Sequence, residues 1–112
     1  MNPYDFNNKT FYAVQNSENG TVNSDTVFKY KQDGNLVTAD YHGGAIHYGK
    51  IIAHLRGDKL HMLYQCLTTE GELKAGKAIA SISIINEKLN LKLDWEWLDA
   101  DNKKGKSEYI EV

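Results

Sequence analysis

The sequence is poor in the features that mark most specialised small proteins, and each shortage excludes something. A single cysteine, Cys66, rules out an internal disulfide, so nothing in the chain calls for an oxidising compartment. A single proline, Pro3, and the lack of any Pro-rich or Gly/Ser-rich stretch leave no interdomain linker. Lysine and arginine total 13 against 15 aspartate and glutamate, a formal charge of -2 with no general attraction for nucleic acid or anionic lipid. No segment approaches the roughly 20 apolar residues that span a bilayer. The opening Met1-Asn2-Pro3-Tyr4-Asp5-Phe6-Asn7 lacks the cationic and apolar stretches of a secretory signal. These absences predict a cytoplasmic protein with neither membrane nor nucleic acid as partner.

What the chain does have is strict alternation. Leu89, Leu91, Leu93, Trp95 and Trp97 are separated by Asn90, Lys92, Asp94 and Glu96. A period of two is a strand with one face buried and one wet. Similar segments recur between turn formers. Strands are expected over residues 10–15, 26–31, 35–41, 45–55, 59–68, 72–85, 89–98 and 105–112, after a polar leader at 1–8. Asp33-Gly34, His42-Gly43-Gly44, Arg56-Gly57-Asp58, Glu70-Gly71 and Asn86-Glu87 supply the connections. Gly49 and Gly76 fall inside strands and are read as bulges. At 112 residues the chain has one core to build, so residues 9–112 form one domain. The expected fold is all-β, an antiparallel up-and-down meander of about eight strands closed into a small calycin-like barrel. Closure removes the sheet edges that invite aggregation.

From Tyr30 to Gly76 the chain carries Asp33-Gly34-Asn35, Ala39-Asp40-Tyr41-His42-Gly43-Gly44, Gly49, Leu60, Met62, Tyr64-Gln65 and Glu70-Gly71-Glu72-Leu73. Asn16-Ser17-Glu18-Asn19-Gly20 lies upstream and Trp95-Glu96-Trp97 downstream. With this pattern the sequence resembles a group of small bacterial proteins often labelled N-acetylglutamate synthase, and their fold is similar to lipocalin-like and avidin-like barrels. The label implies acetyl transfer from acetyl-coenzyme A, which usually needs a phosphate loop or helix terminus for the pyrophosphate. The sequence offers neither a recognisable loop of that kind nor a convincing helix, so this activity is not expected.

Seven tyrosines make the aromatic content the best pointer to a site. Rings give apolar area and phenols fix orientation, as a binding cup requires. Tyr30, Tyr64, Trp95 and Trp97 are the candidate wall of one open end, with Tyr41 and Tyr48 beside them, for a small apolar or aromatic ligand. A barrel this small also accommodates a filled core, which would make it a structural or protein-interaction module. Residues 59–68 carry apolar groups on both faces, fitting a barrel interior on one side and a homodimer contact on the other. An enzymatic alternative would centre on His54 or His61, with Tyr64, Cys66, Asp40 or Glu70 as proton-transfer partners. The four histidines lack ligand spacing, so no metal, cofactor or catalytic residue is assigned. His47 and His54 lie on opposite faces unless a bulge near Gly49 intervenes. Lys103-Lys104-Gly105-Lys106 sits among acids without stacking aromatics and reads as a solvated loop.

Overall fold

The computed structural model describes residues 4–16, 25–98 and 103–112. Eight strands follow in order: β1 Lys9–Asn16, β2 Val27–Asp33, β3 Leu36–Gly43, β4 Ile46–Arg56, β5 Lys59–Thr68, β6 Leu73–Ile85, β7 Lys88–Trp97 and β8 Lys104–Glu111. Each pairs antiparallel with the next, and β8 pairs with β1, so the sheet is a closed barrel. The all-β meander expected from the alternation is the fold observed. Among the described residues no helix is long and apolar enough to cross a membrane.

Alternation decides which side chains enter. Leu89, Leu91, Leu93, Trp95 and Trp97 of β7 are buried, while Lys92 and Asp94 are exposed. Asn90 departs from that rule: it is buried at an outward position, its Nδ2 donating to Glu108 Oε2 on β8 at 2.7 Å. The tight turns need a left-handed backbone, and Gly34 and Gly57 supply it at φ +62° each.

The bulges lie elsewhere than the glycines suggest. Ile46 pairs with Thr68 and Tyr48 with Leu67, so the extra residue of β4 is His47, and Gly49 is already back in regular register with Tyr41 and Cys66. That slip turns His47 and Tyr48 outward together and leaves His47 and His54 both exposed. Gly76 pairs regularly with Tyr64 and Trp97 and is no bulge either. Both glycines have a different task, set by the rings beside them. A second irregularity falls in β1 between Ala13 and Gln15.

The two ends of the barrel differ. The β2–β3, β4–β5 and β6–β7 turns crowd one end, which is sealed by Phe6. This residue precedes β1, is fully buried, and lies 6.0 Å from Phe11 and 5.6 Å from Tyr30 between ring centroids. Its N–H donates to Gln32 Oε1 at 2.7 Å, fixing the segment under the barrel. The last residues of β1, β3, β5 and β7 and the first of β2, β4, β6 and β8 lie at the other end.

Candidate functional site

Toward that second end aromatic rings are laid over glycines. Tyr41 on β3 pairs with Gly49 on β4, Tyr64 on β5 with Gly76 on β6, and Trp95 on β7 with Gly105 on β8. In all three pairs a methyl group on the glycine would overlap the ring. Each ring therefore uses the volume of the missing side chain and projects that much less toward the barrel axis. Covering a strand glycine with a cross-strand aromatic also protects the backbone there. The three pairs repeat on alternate strands around one end.

Trp97 joins Trp95 and Tyr64, with centroids 5.8 Å and 5.6 Å away, and the Lys74 ammonium lies 4.4 Å from the Trp97 ring centre. Deeper in, Phe28 stacks between Tyr41 at 4.9 Å and Tyr109 at 4.6 Å. Polar atoms thread this aromatic wall. Trp95 Nε1 donates to Ser107 Oγ at 2.8 Å, and Ser107 in turn hydrogen-bonds the Tyr109 phenol. Tyr41 donates to the Gln65 carbonyl at 3.3 Å and also interacts with the buried Cys66 thiol. Tyr30 is only 1% exposed and its hydroxyl has no hydrogen-bond partner.

Four phenols share this space. Burial is the chief cause that pushes Tyr30, Tyr41, Tyr64 and Tyr109 above the ordinary phenol range, and the charge that Tyr109 would carry adds to the effect on the other three. All four are neutral donors at physiological pH. Among the described residues no charged side chain is buried, so the interior holds no counter-ion for an ionised guest.

The raised phenols have a consequence for stability. A phenol with a folded-state value above its unfolded one binds its proton more tightly when folded, so it contributes fully below pH about 10 and its contribution falls as pH rises beyond. For the fully enclosed Tyr30, Tyr41 and Tyr109 the combined slope reaches about 4 kcal/mol per pH unit, from about 1.4 for each. Denaturant melts run from neutral to strongly alkaline pH should be flat to about pH 10 and then steepen. Phenolate absorbance amounting to more than three of the seven tyrosines before unfolding would contradict the enclosure of these groups, since Tyr4, Tyr12 and Tyr48 lie outside the enclosed set.

The residues singled out in the sequence separate cleanly. Tyr64, Trp95 and Trp97 are in mutual ring contact, and Tyr41 stands in the same wall. Tyr30 has its hydroxyl near Tyr109, while its ring packs toward the sealed end with Phe6 and Phe11. Tyr48 lies on the outer face, half exposed, because the His47 bulge reverses its side; it donates to Asp40 Oδ1 at 2.8 Å. Asp40 is also paired with Lys50 at 3.0 Å, and the Tyr48 and Lys50 hydrogen bonds hold its carboxyl below the usual range. Glu70 is exposed in the β5–β6 connection. His54 and His61 face each other across β4 and β5 on the outside, whereas Cys66 points inward, so the barrel wall separates the imidazoles from the thiol. Ser107 and Tyr109 were not singled out; their signal was the spacing of Gly105, Ser107 and Tyr109, which follows directly on a run of lysines.

A closed eight-stranded meander with an aromatic-lined interior is the setting in which the family comparison is decisive. A family model described as "Avidin-like protein" matches residues 4–112. The chain belongs to the avidin-like family. No curated protein and no solved structure matches it. The family match takes in the barrel and its aromatic wall together, so the rings over Gly49, Gly76 and Gly105 belong to an avidin-like frame. On the outside of this avidin-like barrel, a groove of about 740 Å³ runs over β5–β8, bordered by His61, Leu63, Ile79, Asp94 and Lys106.

Proposed function

We propose that this avidin-like barrel binds a small, neutral molecule with an apolar or aromatic body in its interior, at the end where Tyr41, Tyr64, Trp95 and Trp97 stand. The observation that carries the reading is the Tyr30 hydroxyl: a fully buried donor without a partner, close to the Tyr109 phenol. Leaving such a group unpaired costs about 1–3 kcal/mol, and an acceptor atom on a guest would recover that. Ring faces supply apolar contact, the phenols supply orientation, and the absence of a buried charge among the described residues selects against ionised guests. Recognition without chemistry is the role that fits, since no imidazole or carboxylate faces this interior among the described residues.

Both tryptophans of the chain stand in the wall, so intrinsic tryptophan fluorescence reports on this part of the barrel, and Leu63→Lys in the outer groove, which Trp95 also lines, separates a guest bound there from one bound inside. Titration with neutral naphthylamine-type probes should quench or shift that emission saturably. Tyr30→Phe, which removes one oxygen and no ring, should weaken guests that carry an acceptor by about tenfold and leave pure hydrocarbons unchanged. Absence of saturable binding by any neutral aromatic probe would dispose of the reading.

A further inference from the structure

The four histidines are spaced 5, 7 and 7 residues apart, intervals that hold no ligand motif along the chain. Strand register brings two of them together all the same. His54 on β4 and His61 on β5 are direct partners across the sheet, and both are exposed on its outer face. Directly opposed residues of an antiparallel pair have their Cβ atoms about 4.5–5.5 Å apart. Two histidines four residues apart on a helix, the arrangement that holds zinc in the His-Glu-x-x-His motif, stand about 5–6 Å apart by the same measure. Imidazoles at this separation can each turn one nitrogen onto a shared ion at about 2.0–2.1 Å.

The frame beneath them is set before any ion arrives. Pairing between β4 and β5 runs without a break from Tyr48–Leu67 to Arg56–Lys59, and the two-residue turn Gly57-Asp58 closes the hairpin just beyond the histidines. Inward from the pair, Ala53, Leu55, Leu60 and Met62 are buried and anchor both strands to the core. The other two histidines have a less regular frame. His42 falls between the pairs Tyr41–Gly49 and Gly43–Ile46, opposite the bulge that contains His47, so no single residue of β4 stands across from it.

The surroundings select the kind of ion. Beside the pair stand Leu36 on β3 and Ile79 on β6, with Ile52 and Arg56 next along β4 and Lys59 and Leu63 next along β5. Among the described residues no group of three or more histidines, cysteines and carboxylates could hold a metal, so no carboxylate completes this pair. Calcium and magnesium need oxygen ligands and negative charge, and Arg56 and Lys59 repel them. Late first-row divalent ions accept imidazole nitrogen, copper(II) most tightly of the series. We infer that His54 and His61 form a two-imidazole site for such an ion on the outside of the barrel. Two protein donors leave the remaining positions to water, which makes the ion exchangeable and open to a further donor. This does not rest on the ligand reading, because the imidazoles and the interior lie on opposite sides of the wall.

The variant His42→Gln/His47→Gln retains this pair as its only histidines, and both replaced positions are exposed. Near-ultraviolet circular dichroism from the tryptophans confirms its folding. Calorimetric titration with copper(II) in a non-coordinating buffer at about pH 7.5, above the usual imidazole range, should show one ion per chain with a dissociation constant in the micromolar range. Electron paramagnetic resonance should show coupling to two imidazole nitrogens. Adding His54→Gln or His61→Gln should weaken binding at least about tenfold and leave coupling to one. Zinc, which has no redox chemistry, should raise the urea midpoint of the parent variant by clasping its folded strands, and should lose that effect when either histidine is replaced. Failure of copper to bind, coupling to a single nitrogen in the parent variant, or affinity unchanged by either substitution overturns the inference.

Discussion

Phe6→Ala is expected to cost about 3–5 kcal/mol, the range for emptying a fully buried phenylalanine site. Against a typical total of about 5–15 kcal/mol for a domain, that loss is enough to unfold a marginal protein. The residue lies outside all eight strands, yet it is fully buried and touches both Phe11 and Tyr30. Its removal leaves a void under the sealed end that the closed sheet cannot collapse to fill, because each strand is held on both sides. Urea or guanidinium melts of the variant provide the check. A loss below about 1 kcal/mol would mean that the segment before β1 is not held under the barrel as described.

Gly105→Ala is expected to destabilise by about 2 kcal/mol, although alanine suits a strand better than glycine does. Two effects compete. Replacing glycine reduces the freedom of the unfolded chain and by itself stabilises by about 0.4–1 kcal/mol. The new methyl, however, would overlap the six-membered ring of Trp95, and overpacking of this kind costs about 1–3 kcal/mol or more. Trp95 has little freedom to retreat, since its Nε1 is bonded to Ser107 and its other side meets Trp97. Steric cost wins. A double-mutant cycle with Trp95→Leu separates the terms: in that background Gly105→Ala should cost little or stabilise. Additive losses would show that the glycine matters for reasons other than the ring.

The number and order of strands were legible because alternation and turn chemistry act locally. Leu89 to Trp97 announces its buried face without reference to any other segment, and Asp33-Gly34 specifies a turn from neighbouring residues alone. Gly49 and Gly76 show where local reading stops. A glycine inside a strand signals that backbone must come close to something, and a bulge is one answer; here the answer is a ring from the next strand, visible only once Tyr41 is seen opposite Gly49 and Tyr64 opposite Gly76. Tyr48 failed for a similar reason. A single extra residue at His47 reverses every side chain before the register recovers, and nothing in His42 to Gly49 marks which residue is the extra one. The Tyr30 ring packs with Phe6 and Phe11 rather than with Tyr64, Trp95 and Trp97, since parity gives a face of the sheet but not a height along the barrel.

The pairing of β1 with β8 brings Val112 beside Thr10, its N–H donating to the Thr10 carbonyl at 2.9 Å, at the end sealed by Phe6. Both extremities of the barrel thus leave from its floor, while the aromatic wall lies toward the opposite rim. A support, tag or fused neighbour attached through either extremity would sit at the floor, so surface-tethered formats can be built on this chain with the aromatic rim directed away from the point of attachment.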